Sequence, residues 1–233
     1  MITLRKSEQR GASELSWLKS RHTFSFNEYF DPQQTGFSSL RVINNDIVAA
    51  GAGFAPHSHR DMEILTWILD GELAHRDSLG HGSIIKRGDI QRMSAGTGIQ
   101  HSEFNPSKTA PVHFLQIWLL PERAGLEPGY EQRRVTGGEA SAAMRLVASP
   151  DGRDGAVTIH QDARMYVGIL ESGGRASVEL AHVRRAYVHL ARGGITVNHT
   201  ELLAGDGARV ADEARLEFDA GPDGAEVIVF DLA

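Results

Sequence analysis

GAGFAPHSHRDMEILTWILDG, residues 51–71, holds two histidines one residue apart, then an aspartate and a glutamate at the same parity, then an apolar run that reads as a β-strand. Successive side chains on a strand point to opposite faces. His57 and His59 therefore project to one side, and Asp61 and Glu63 follow if the strand stays regular. Two imidazoles on one face can share one metal ion. A matching pair lies in GIQHSEFN, residues 98–105, where His101 and Glu103 are again two apart. Brought together on neighbouring strands, the two pairs enclose a site of three neutral nitrogens and one carboxylate, with positions open for water, substrate or dioxygen. One His-x-His pair among 11 histidines is unremarkable by itself. The surroundings raise its weight, because glycines 51, 53, 71, 88, 96 and 98 frame both pairs with turn formers.

Outward from this stretch, strand signals recur at short spacing between Gly, Asp and Pro turns. They cover 38–48, 63–69, 72–77, 83–88, 89–95 and 112–120, with Asp70-Gly71 expected as a hairpin turn between the second and third. Helix is most expected over 138–147, where alanine is dense. The pattern predicts an all-β chain of sandwich or barrel type with few short helices. After Pro121 the composition turns to charge and turn formers, which reads as a connector and sets the division into residues 1–130 and 131–233. In the second half, Gly205-Asp206 echoes Gly88-Asp89. His101 and Glu103 stand twelve and fourteen positions beyond Asp89, whereas the same offsets from Asp206 fall on Phe218 and Ala220. Either the halves are duplicated and the second has lost its site, or Gly-Asp is an ordinary hairpin turn in both.

Composition narrows the function classes. With 30 acidic against 24 basic side chains and no Lys/Arg-rich run, the chain lacks the footprint of a protein that grips phosphate backbones or anionic lipid. It has no cysteine, so any metal must be held by His, Asp or Glu. The opening MITLRKSEQR has no signal-peptide core and the apolar runs are too short to cross a bilayer, so a soluble cytoplasmic protein is expected.

Residues 51–71 resemble the first cupin motif through Gly51, His57, His59, Glu63 and Gly71. GDIQRMSAGTGIQHSEFN, residues 88–105, resembles the second through Gly88, His101 and Asn105, although MSAGTG replaces its usual proline. Together with HTFSF (22–26), HRDSLGHGS (75–83) and YEQRR (130–134), these segments resemble the pirin family, in particular bacterial members with quercetin 2,3-dioxygenase activity. The resemblance implies a bicupin of two jelly-roll-like domains. It implies one divalent transition metal per chain on His57, His59, His101 and Glu103, with the C-terminal cupin metal-free. Fe(II) is the expected ion, with Ni, Cu, Co, Mn and Zn as alternatives. The implied reaction opens the central ring of a flavonol with dioxygen and releases carbon monoxide, with Glu103 as the catalytic carboxylate. The implied partners are a small planar aromatic substrate and dioxygen. The rival readings are a metal-containing regulatory module that binds a protein partner and a non-redox cupin isomerase.

Glu63 is the competing carboxylate, assigned a supporting role, and Asp61 is read as solvated or turn-bound. Of the single histidines, those at 22, 75, 81 and 113 fall in the half that carries the site and are placed to lie near it, although a structural role is the commoner one for each; those at 160, 182, 189 and 199 are scattered without a pair at ligand spacing. Phe24, Phe26, Tyr29, Phe30 and Trp67 are candidates to line a pocket, with core packing the commoner role for each.

Overall fold

The computed structural model describes residues 1–135, 140, 141 and 143–233. The strands run in chain order as β1 (Ile2–Arg5), β2 (Gly11–Glu14), β3 (Leu18–His22), β4 (Leu40–Val48), β5 (Gly53–His59), β6 (Glu63–Asp70), β7 (Glu72–Asp77), β8 (Gly82–Lys86), β9 (Asp89–Ser94), β10 (Ile99–Phe104), β11 (Val112–Leu119), β12 (Gly129–Arg134), β13 (Arg145–Ser149), β14 (Val157–Thr158), β15 (Ala163–Leu170), β16 (Arg175–Glu179), β17 (Arg185–Val197), β18 (Thr200–Leu203), β19 (Gly207–Val210) and β20 (Arg215–Leu232). Helix among the described residues is limited to single turns at Ser7–Gln9 and Arg153–Gly155. No helix there is long and apolar enough to cross a membrane. The all-β architecture expected from the strand signals is therefore present.

Two compact units form. The N-terminal unit comprises Gly11–Gly137 with Val157–Gln161, and the other comprises Met1–Arg10, Gly138–Ala156 and Asp162–Ala233. The division near residue 130 is thus displaced at both ends of the first half. β1 pairs with β19, which draws the first residues into the C-terminal unit. The stretch read as a connector contains β12, which pairs with β9 from Gly129↔Ser94 to Arg134↔Asp89.

In the N-terminal unit a seven-stranded antiparallel sheet, β12-β9-β6-β11-β4-β3-β2, faces a four-stranded one, β5-β10-β7-β8. Residues 63–69 of β6 are all buried, which explains why this strand is a continuous apolar run instead of an alternating one. Ile68, Val112 and Phe114 of the larger sheet meet Leu73 and Ile85 of the smaller one and close one end of the sandwich. Ile64 and Met93 meet Ile99 in a second cluster. Each such fully buried side chain contributes about 1.5–3 kcal/mol. Between these clusters a polar row crosses the large sheet. His22, Asn44, Gln116, Thr66, Gln91 and Gln132 lie in one row of register partners across β3, β4, β11, β6, β9 and β12.

The expected hairpin at Asp70-Gly71 does not form. β6 pairs with β9 and β11, whereas β7 pairs with β8 and β10, so the turn carries the chain from one sheet to the other. Gly71 has φ +75, a left-handed conformation that lets the backbone turn this corner. The expected helix over 138–147 lies partly outside the described residues. Where it is described, Arg145–Val147 belong to β13, paired with β15 through Arg145↔Val167 and Leu146↔Tyr166. Cross-strand pairing there overrides the alanine-driven helix propensity.

In the C-terminal unit β1, β19, β17, β20, β15 and β13 lie side by side, with β16 paired to β20 and β18 to β17. Its core is apolar and includes Phe218 and Ala220, the two positions at ligand offset from Asp206. The Gly-Asp echo is a shared turn. Gly88 and Gly205 have φ +87 and +88. The following aspartates accept the N–H groups of Lys86 at 3.0 Å and Leu203 at 3.1 Å.

Candidate metal centre

β5 is an edge strand, and its partner β10 holds His101 opposite His57 and Ile99 opposite His59. Beyond His101 the ladder shifts so that Glu103 faces Phe54. The extra β5 residue falls at Ala55-Pro56. An edge bulge is where a proline, which has no N–H for the ladder, fits. The two strands approach closely at Gly53, where a Cβ would stand 2.2 Å from the Glu103 carbonyl oxygen and 2.6 Å from Phe104 Cα. Only glycine lets β5 lie against β10 with His57 in register with His101.

The result is a triangle of imidazoles. Ring centroids are 4.8 Å apart for His57–His59, 4.4 Å for His57–His101 and 4.9 Å for His59–His101, and one ligand nitrogen from each lies within 4.8 Å of the others. His57 Nδ1 donates to the Ala55 carbonyl at 2.9 Å, which leaves Nε2 with a free lone pair. His101 is 3% exposed and neither of its ring nitrogens has a hydrogen-bond partner. A buried imidazole without partners is costly unless something binds it. Burial, reinforced by His57, pushes the His59 imidazole down to about 4. Burial and then the neighbouring histidines push His101 down to about 2. Both are therefore neutral lone-pair donors at physiological pH, so these residues fit a divalent metal ion.

Glu103 belongs to a second group that shares His101. It clusters with His101 and His75, each offering a ligand atom within 4.8 Å of the others. Gln116 Nε2 donates to both of its oxygens, at 2.8 and 2.7 Å. Burial pushes the Glu103 carboxyl up to about 8, the Gln116 hydrogen bond opposes this, and the charge of Asp46 adds to it. A bound cation acts in the opposite direction by favouring the carboxylate. The structure thus brings together His57, His59 and His101, and sets Glu103 beside His101 on the Gln116 amide.

Glu63 points elsewhere. It accepts the His160 backbone N–H at 3.3 Å, and His160 Nδ1 lies 3.3 Å from its Oε2. Asp61 has φ +49 and accepts the Gly125 N–H at 2.7 Å, which makes it a turn residue.

The imidazoles open on a cavity of about 1340 Å³ in the N-terminal unit. Of the candidate aromatics only Phe26 lines it. Phe24 and Trp67 are core, Phe30 is 72% exposed, and Tyr29 packs over Gly11. Trp17, Phe54 and Trp118 also line it. Rings at 4.9 Å (His59–Trp118), 5.4 Å (Trp118–Phe26) and 5.2 Å (Phe26–His22) run along the cavity from the imidazoles. Trp118 shares the parity of Gln116 on β11, and neither stands out in the sequence as a site residue. His22 lies at the end of this path with Nδ1 2.8 Å from Asn44 Oδ1 and Nε2 2.8 Å from Ser13 Oγ. His75 lies near the site as its place in this half allows, and no pairing in the sequence reveals that it stands opposite Glu103.

Comparison with known proteins agrees along the whole chain. Residues 3–119 match the Pirin family model and residues 146–232 match the quercetinase C-terminal cupin domain. Over 232 residues the chain is 45% identical to quercetin 2,3-dioxygenase from Escherichia coli (strain K12), covering 100% of this chain and 99% of that protein. The crystal structure of YhhW from Escherichia coli superposes with a TM-score of 0.94 at 45% identity, covering 100% of this chain and 98% of that one. The bacterial pirin YhhW in complex with nickel(II) gives 0.93 at 45% identity, covering 100% and 99%. With two cupin-type units, an imidazole cluster confined to the first among the described residues, and these matches, the chain belongs to the pirin family.

Proposed function

We propose that this chain is a metal-dependent dioxygenase that opens the central ring of flavonols such as quercetin, consuming dioxygen and releasing carbon monoxide. The observation that carries the reading is the His57–His59–His101 cluster set in the wall of an aromatic-lined cavity. It is supported by 45% identity to a protein named quercetin 2,3-dioxygenase. His57, His59, His101 and Glu103 hold the metal. When bound, the ion acts as a Lewis acid toward a substrate hydroxyl and, for a redox-active metal, supports chemistry with dioxygen.

The chain's own groups do the rest. Trp118, Phe54 and Trp17 offer edges and faces to a planar ring system. The path from His59 to His22 gives an elongated aromatic molecule a wall to lie against, ending in the polar Ser13–His22–Asn44 chain. Glu103 is the proton acceptor for the flavonol 3-hydroxyl once substrate oxygen has displaced it from the metal, because a carboxylate held by a cation is a poor base. The freed carboxylate is left in a buried setting that favours the protonated form, so taking the proton relieves a charge that burial penalises. Gln116 Nε2 holds both Glu103 oxygens and keeps the carboxylate beside His101.

The test is aerobic incubation of metal-loaded protein with quercetin. Wild type should bleach the flavonol and the His57→Ala, His59→Ala double variant should not. Equal slow bleaching by both would mean autoxidation and would favour the regulatory reading.

A further inference from the structure

β7 and β10 are neighbours in the small sheet, with Glu103 directly opposite His75 and His101 opposite Asp77. Directly paired side chains on one face have Cβ atoms about 4.5–5.5 Å apart. His75, His101 and Glu103 are all buried, and their ligand atoms lie within 4.8 Å of one another. His75 is 1% exposed and its Nδ1 has no hydrogen-bond partner. Its Nε2 lies 3.2 Å from Asp77 Oδ2. Asp77 is fully covered and pinned in turn by the N–H groups of Leu79 at 2.9 Å and His81 at 3.0 Å, with His81 Nδ1 3.0 Å from Oδ2. The Tyr130 ring lies against His75 with centroids 4.9 Å apart and limits its rotation.

This is the outer support that metal-bound histidines carry: a carboxylate takes one ring N–H and aims the other nitrogen's lone pair at the ion. Here the carboxylate and the imidazole are in place, Nδ1 is the nitrogen left without a partner, and the His75 ring stands in one cluster with His101 and Glu103. We propose that the chain has a second metal position behind the first, formed by His75, His101 and Glu103. The inference rests on the reading that His57, His59, His101 and Glu103 hold a metal. The front position is rich in imidazole. The rear one is a two-histidine, one-carboxylate set of the kind that suits non-haem iron and manganese. A neutral imidazole offers one lone pair, so His101 serves one position at a time and the chain holds one ion in total. An ion passing from front to rear exchanges His57 and His59 for His75 and withdraws from the cavity.

The experiment uses the full chain and cobalt(II) as the probe, with elemental analysis after equilibrium dialysis and the visible cobalt spectrum as readouts. His57 and His59 sit at half-buried positions of an edge strand, so Asn is accommodated there. The His57→Asn, His59→Asn double variant should retain about one cobalt per chain, more weakly and with a changed spectrum. Adding His75→Ala should empty it. Adding Asp77→Asn instead should weaken binding about 10–100-fold, the usual cost of removing an outer carboxylate. A folded double variant without cobalt, or equal binding with and without His75, overturns the proposal. A second measurement leaves the front intact. In otherwise native protein, His75→Ala should keep one cobalt per chain but remove one of two phases in chelator-driven release, and release unchanged by the substitution also overturns the proposal. Neither readout depends on quercetin, so both stand apart from the ring-opening reaction.

Discussion

Metal uptake should expel the proton that burial keeps on Glu103. In the metal-free chain this carboxyl is pushed up to about 8, so at pH 7 it is about nine-tenths protonated. Binding as a carboxylate ligand must release that fraction. His59, at about 4, and His101, at about 2, are already neutral at pH 7 and release nothing. The perturbation is Glu103→Gln, which keeps size and hydrogen bonding but carries no titrating proton. Wild type should therefore release about 0.9 more protons per bound ion than the variant at pH 7, since contributions from other groups are common to both. Below pH 8 the wild-type affinity should rise up to tenfold per pH unit more steeply than the variant's, and the excess slope should vanish above it. Calorimetric titration with nickel(II) in buffers of different ionisation enthalpy measures the proton count directly. Equal release by the two proteins would refute the assignment of Glu103 to the metal.

The same shifts shape the stability of the metal-free protein. Folded Glu103 holds its proton to about pH 8 against 4.5 in the unfolded chain, so stability falls as pH rises through that window, at about 1.4 kcal/mol per unit. His59 and His101 take up protons on unfolding below 6.5, so stability also falls on the acid side. Thermal scans in chelator should peak near pH 6.5, since below it the two histidines outweigh the one glutamate and above it only the glutamate limb remains. Glu103→Gln should flatten the alkaline limb; an unchanged alkaline limb would contradict the burial argument. Gly53→Ala places a methyl group 2.2 Å from the Glu103 carbonyl oxygen and must push β5 from β10. Metal affinity, read by chelator competition, should drop at least tenfold, about 1.4 kcal/mol, while circular dichroism stays native. Glu63→Gln should cost about 1–3 kcal/mol of stability by weakening the buried contact with His160, yet leave metal content unchanged. Loss of metal from that variant would make Glu63 a ligand.

The strands were legible because their cause is local. Val112–Leu119 and Glu63–Asp70 are apolar runs bounded by Gly, Asp and Pro, and they form as read. The pairing of β6 was not legible. A turn sequence such as Asp70-Gly71 suits both a hairpin and a corner between sheets, and only the packing of Ile68 on Leu73 distinguishes them. The His57–His59 pair declared itself through its parity on one strand, and His101 through its own pair. His75 did not, because its significance comes from standing opposite Glu103 across a ladder, a relation between strands of different sequence position. The place of Glu103 on Gln116 was hidden for the same reason. Gln116 reads as an interruption in an apolar strand, and its role appears only once β11 lies behind β10. Alanine density misled at Arg145–Val147, where pairing with β15 decides the conformation.

The central claim, that the imidazole cluster serves ring opening by dioxygen, is tested most directly by counting carbon monoxide. Metal-loaded wild-type protein should release one carbon monoxide for each quercetin consumed under air, both oxygen atoms of labelled dioxygen should appear in the ring-opened ester, and metal-loaded Glu103→Gln should be slower by about two to four orders of magnitude. Quercetin loss without carbon monoxide, or turnover in loaded Glu103→Gln equal to wild type, would contradict the account.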